Sequence, residues 1–275
     1  MNRFRLSVAV VLFLLAVAPA GAQFLPALLR PGLASFQSGY NDWDRTQFVA
    51  AAQLFAAARE AFPTSSLACY WEGVAELHGA FWCIEQKGAL DPSWLSGHLG
   101  RAKQAFESAV RLDPDDGECQ VLLGTAVGMQ IRQNPVSAVW HGRRVLACER
   151  KALELAPDNP RVHYLIGSGD FHAPGLRSAK DHGLAHFLEA ERLYEQERKE
   201  KRDPLRPSWG YGSCLTFLGR ISAISGDPSR AAAYFQRALR ANPRDRFAKQ
   251  GLEDPILTGT QAVAHPVTSP PQKDR

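Results

Sequence analysis

The 275-residue sequence predicts an all-α fold of stacked antiparallel helix pairs, about five in number. Two recurring spacings and one turn chemistry predict it. The first spacing sets alanine, phenylalanine and proline at constant intervals: Ala51, Phe55 and Pro63; Ala102, Phe106 and Pro114; Ala231, Phe235 and Pro243. A further alanine (Ala58, Ala109, Ala238) stands five residues before each proline. The second spacing puts Gly73, Gly124 and Gly167 ten residues after Pro63, Pro114 and Pro157. The turns join a proline to helix-capping side chains, in Asp113-Pro114-Asp115-Asp116, Ala156-Pro157-Asp158-Asn159 and Asn242-Pro243-Arg244-Asp245. Two antiparallel helices approach closely only where small residues replace bulky ones at the crossing, so Gly and Ala open a gap that Phe fills. Each pair leaves an apolar face uncovered, and neighbouring pairs must stack to bury it.

Met1 to Arg5 carries two positive charges, Leu6 to Ala18 is an uncharged run of 13 residues, and Pro19-Ala20-Gly21-Ala22 follows. That order predicts a secretory leader over 1–22, cleaved after Ala22. A membrane-spanning helix needs about 20 apolar residues, more than this run supplies. The mature chain, starting at Gln23 with no cysteine to carry a lipid, is expected to be exported, periplasmic or secreted, without a stable membrane span. Residues 23–257 are then the helical repeat domain. Residues 258–275, rich in Thr, Pro, Ser and Lys, read as a disordered tail.

The copies are unevenly spaced. Pro63 to Pro114 is 51 residues and Pro114 to Pro157 is 43, so extra residues fall between helices. In the first interval they lie at Phe81 to Gly97, with Trp82, Trp94 and Asp91-Pro92, as a long loop or as lengthened helices. The copy ending at Pro157 keeps Ala152 but has Val145 and Glu149 where the others have Ala and Phe. Gly183, Phe187 and Ala190 repeat the spacing without a proline, after the loop His172-Ala173-Pro174-Gly175. The charged stretch Glu189 to Arg202 reads as a helix running past the repeat, with Glu195 and Lys199, and Glu197 and Lys201, at i, i+4. Interleaved glutamates make Arg198 to Arg202 a solvated face rather than a basic patch.

In its last copy the pattern reads Leu218-Gly219, Ala231, Phe235, Ala238 and Pro243. This resembles the tetratricopeptide repeat, where Leu-Gly marks the first helix, Ala-x3-Phe the second, and proline the turn into the next repeat. The resemblance covers most of residues 43–252 and is strongest over 66–114 and 212–245, although the family's period of roughly 34 residues is not kept. It implies a superhelix, or solenoid, whose first helices line a concave groove. By register it directs Tyr70 and His78, Glu118 and Thr125, Arg161, Tyr164, Ser168 and His172, and Thr216 and Arg220 toward that groove. The function it implies is a noncatalytic binding scaffold of the cell envelope holding a protein or peptide partner, with a small molecule as the alternative ligand. Exported T-component proteins of tripartite substrate-binding transporters are similar in architecture, and that likeness implies a ligand-handling accessory instead.

No catalytic constellation competes with this reading. Gly167-Ser168-Gly169-Asp170 lacks the preceding strand and following lysine of a phosphate loop. Gly210-Tyr211-Gly212-Ser213 opens a predicted helix rather than forming a nucleophile elbow. His182 and His186 share a helical face, with His172 in the loop before them and Asp181 and Glu189 nearby. The carboxylate of an H-E-x-x-H site is missing, however, so the histidines read as structural or solvated and no metal or cofactor is assigned. The formal charge is +4, and thirty basic against 28 acidic residues leave +2 once Arg3 and Arg5 go with the leader. That is too little for a general binder of nucleic acid or anionic membrane. Cys69, Cys83, Cys119, Cys148 and Cys214 fit neither a disulfide framework nor a zinc signature. Sitting in apolar helical stretches, they read as buried thiols, with one or two disulfides the alternative in an oxidising compartment.

Overall fold

The computed structural model describes residues 20–86, 92–133, 138–172, 182–201 and 203–254, and it divides into two compact units, Met1–Trp209 and Gly210–Arg275. Among the described residues every regular element is a helix. The first unit holds α1 (Ala20–Asp42), α2 (Arg45–Ala61), α3 (Ser66–Glu85), α4 (Pro92–Leu112), α5 (Gly117–Gln133), α6 (Ala138–Leu155), α7 (Pro160–His172) and α8 (His182–Glu197). They pack as the pairs α1–α2, α3–α4, α5–α6 and α7–α8, and α1, α3, α5 and α7 also touch one another in series. The second unit is the pair α9 (Tyr211–Ile224) and α10 (Pro228–Ala241), with α11 (Arg246–Glu253) packed against both. The all-α stack of helix pairs is therefore present within each unit.

The predicted gap-and-plug contacts are where the spacing puts them. A Cβ added to Gly73 on α3 would lie 2.5 Å from the Phe106 ring of α4, and one on Gly219 of α9 would lie 2.7 Å from the Phe235 ring of α10. Ala51, Ala102 and Ala231 are fully buried, as are Ala58, Ala109 and Ala238. Phe235 is also approached by Gly251 of α11, so one ring fills a gap on each side. In the degenerate copy Gly124 faces Cys148 rather than a phenylalanine, which explains how that pair closes without one.

Three features departed from the spacing or escaped it. First, much of the excess between Pro63 and Pro114 is helix, since α3 reaches Glu85 and α4 begins at Pro92. Second, the helix expected to run to Arg202 stops at Glu197; its last turn closes through Arg198 N–H to the Tyr194 carbonyl, and residues 203–209 are nonhelical. Glu197 faces Arg161 at 2.9 Å instead of pairing along its own helix with Lys201. Third, α1 supplies the first pair's small residue, Gly32, against Phe55 of α2. Pro26 and Pro31 inside α1 hide it from a sequence reading.

The turn chemistry holds at the capping residues. Asp116 accepts from the Cys119 amide at 2.9 Å, Asn159 from the Arg161 amide at 2.9 Å, and Asp245 from the Phe247 amide at 2.9 Å. The leader at 1–22, apart from the start of α1, lies outside the described residues, as does the tail at 258–275 and the loop after His172. Among the described residues no helix is long and apolar enough to cross a membrane.

Candidate partner-binding face

The serial contact of α1, α3, α5 and α7 gives the first unit a face built from its odd-numbered helices. Eight of the residues assigned by register fall along α3, α5 and α7, but most are engaged inside the protein. Tyr70 and Arg161 are each 3% exposed and Glu118 is 5% exposed. The Tyr70 hydroxyl donates to Glu118 at 2.5 Å, and the other Glu118 oxygen accepts from Arg161 Nε and from the Asn159 amide group, each at 2.8 Å. Arg161 also donates to Glu197 at 2.9 Å. One guanidinium thus ties α5, α7 and α8 together.

The electrostatics follow from burial and from this pairing. Burial, with the Glu118 carboxylate adding to it, pushes the Tyr70 hydroxyl well above its usual range, so it remains a donor. Burial alone would lower Arg161, but the Glu118 carboxylate beside it outweighs burial and holds the guanidinium charged. His78 is 3% exposed among aromatic rings, with Nδ1 2.8 Å from the Val74 carbonyl. Burial lowers it to about 4, so it is a neutral donor to that carbonyl.

The sequence reading did not find what covers this face. Residues 203–209 form a strap across it. A turn closed from the Arg206 amide to the Asp203 carbonyl leads into the strap, with the Leu205 amide donating to the Asp203 side chain at 2.9 Å. The Trp71 indole donates to the Leu205 carbonyl at 3.0 Å, and the Trp209 indole donates to the Tyr70 hydroxyl at 2.9 Å. The Trp209 ring packs edge-on against His78, at 5.3 Å, and Tyr164, at 6.2 Å. Along the strap, Leu205 is half-buried and Pro207 and Trp209 are buried, while Pro204, Arg206 and Ser208 are exposed. Buried or half-buried positions thus alternate with exposed ones, through the turn at 203–206 and the nonhelical stretch 207–209. A cleft of about 250 Å³ runs beside it, lined by α1 (Leu33, Phe36, Gln37), Trp71 and the strap.

The remaining register residues are placed as follows. Tyr164 is half-buried against Trp209. Ser168 and His172 are half-buried on the last turns of α7, where His172 Nδ1 donates to the Ser168 carbonyl at 2.9 Å. Thr125 donates to the Val121 carbonyl of its own helix. In the second unit Thr216 is buried and donates to Asp245 at 3.3 Å, while Arg220 is exposed, its guanidinium 5.7 Å from the Phe217 ring. For the metal alternative, His186 Nδ1 lies 3.1 Å from His163 Nδ1, and the His182 side chain lies outside those described. No group of three or more metal-ligating side chains is found among the described residues. All five cysteines are buried and free, as read from their helical surroundings.

Residues 213–245, which span α9 and α10 with the Gly219–Phe235 contact, match the tetratricopeptide repeat family. The fold is a tetratricopeptide-repeat fold. It is shared with a thermophilic tetratricopeptide-repeat protein of Thermus thermophilus, TTC0263, at TM-score 0.59 and 17% identity over 84% of this chain and 100% of that one. It is also shared with the HusA haemophore of Porphyromonas gingivalis, at TM-score 0.58 and 19% identity over 75% of this chain and 96% of that one. No curated protein matches the sequence. The helix pairs described above are of the tetratricopeptide-repeat type.

Proposed function

We propose that this tetratricopeptide-repeat protein is a noncatalytic scaffold of the cell envelope that holds a peptide segment of a protein partner on the odd-helix face of its first unit. The observation carrying this reading is that the face already accommodates a peptide: Trp71 donates to a backbone carbonyl of the strap, and Tyr70, His78 and Tyr164 surround an indole. A main-chain hydrogen bond combined with a pocket for an alternate side chain is a general mode of peptide recognition. Export rests on the leader at 1–22, and N-terminal sequencing of the mature protein should begin at Gln23.

Capture from the native envelope with the full mature chain tests the binding reading. Truncating a central aromatic contact should weaken the principal partner by about tenfold or more. Tyr164→Ala is the variant, with its melting temperature measured alongside. Equal capture by wild type and a folded Tyr164→Ala protein would remove the face from the proposal.

A second reading, a ligand-handling accessory of a substrate-binding transporter of the T-component kind, is favoured by the cleft of about 250 Å³ beside the strap. Native mass spectrometry of protein taken from its own cells distinguishes the two. A small molecule retained at unit stoichiometry favours the accessory, and a bare chain favours the scaffold.

A further inference from the structure

We propose that residues 203–209 are an exchangeable internal occupant of the odd-helix face, and that the partner binds there by replacing the strap with a segment of like chemistry. Such a segment carries an aliphatic residue, a proline and an indole at alternate positions, in the places of Leu205, Pro207 and Trp209. The inference rests on the scaffold reading above and specifies the partner's binding segment.

The strap's contacts divide it into a recognised half and an idle half. The inward hydrogen bonds at Leu205 and Trp209 are of a kind that another chain could supply: one backbone carbonyl for Trp71, and one indole N–H for the Tyr70 hydroxyl. Its outward side chains, Pro204, Arg206 and Ser208, are exposed and border the cleft, so packing between the strap and α1 is incomplete along that edge. The surface beneath is held independently of the strap. Tyr70 is oriented by Glu118, Glu118 by Arg161 and Asn159, and Arg161 by Glu197, all through hydrogen bonds within the helices and their connecting turns. A receiving surface built in this way keeps its shape when its occupant leaves, which is the preorganisation that peptide capture needs.

Competition between strap and partner follows from tethering. A segment joined to its own site by a short linker acts at an effective concentration on the order of millimolar. A peptide whose intrinsic dissociation constant is near ten micromolar should therefore bind wild type roughly a hundredfold more weakly than it binds a chain whose strap has lost its anchor.

The test uses the full chain and a fluorescently labelled peptide spanning residues 201–211. Trp209→Ala removes the internal anchor, and the peptide restores the indole from outside. Binding to Trp209→Ala that is roughly a hundredfold tighter than to wild type, and that is lost when the peptide's tryptophan is replaced by alanine, is the expected result. No binding to a folded Trp209→Ala protein, or equal binding of both peptides, overturns the proposal. If Trp209→Ala does not fold, hydrogen exchange on wild type decides. Strap amides that exchange through local opening, faster than those of α3 and α5 and faster still with peptide present, support exchangeability. Strap amides that exchange only with global unfolding refute it. Envelope capture can fail to yield a partner while this peptide still binds, so the two proposals fail separately.

Discussion

At the scale of single residues, Gly73 and Gly100 make opposite uses of the same missing side chain. Gly73 faces the fully buried Phe106 ring, and a methyl group there would sit 2.5 Å from it. Gly100, in the exposed part of α4, has nothing within 4 Å of its added carbon. Gly73→Ala should destabilise the protein by about 1–3 kcal/mol through overpacking, whereas Gly100→Ala should stabilise it by roughly 0.5–1 kcal/mol through helix propensity. Denaturant midpoints of the two variants check the contrast. His78 makes a pH-dependent contribution. Its folded value of about 4 lies below the ordinary 6.5, so its contribution is complete above pH 6.5 and is lost as pH falls toward 4. That loss should reach about 2 kcal/mol at pH 5, and His78→Phe should flatten the stability profile between pH 7 and pH 5. An unchanged slope would show that His78 does not carry it.

At the scale of elements, capping decides the shortest helix. α11 has 8 residues, too few to be stable alone, and Asp245 accepts from both the Phe247 and Ala248 amides at its start. Asp245→Ala should cost about 1–2 kcal/mol, measured as a drop in the melting temperature of the full chain. The pairs α3–α4 and α9–α10 were legible because a glycine on one helix and a phenylalanine on the next leave a fixed imprint in the sequence. The end of α8 was not legible. The charge pattern after Glu189 favours helix continuation, but Glu197 is drawn to a buried arginine two helices' length away in sequence. Local i, i+4 pairing is worth only about 0.2–0.5 kcal/mol, and a buried charge left unpaired costs several times that, so the tertiary contact wins.

At the scale of the whole molecule, the cysteines belong to the interior. All five are buried and free, and burial raises the Cys69, Cys83, Cys119 and Cys148 thiols, with Asp116 adding to the effect at Cys119. A thiol reagent should modify few of them in the native protein and all five in denaturant. Rapid native modification would show that the helix pairs open readily. The face proposed for the partner was half legible at this scale. Tyr70, His78, Arg161 and Tyr164 lie on α3 and α7, yet register cannot tell a groove from a covered surface. Leu205, Pro207 and Trp209 left one visible sign, a proline-broken stretch with apolar residues at alternate positions.

The sequence by itself determined the helix pairs, their turns and the close approach of Gly to Phe, because those depend on side-chain volume and backbone chemistry within a few dozen residues. Tertiary structure decided the burial of Arg161 between two glutamates and the occupation of the odd-helix face by residues 203–209. Those contacts join positions 36 to 139 residues apart. Pairings at such range are set by the stacking of helices in space, which no local spacing encodes.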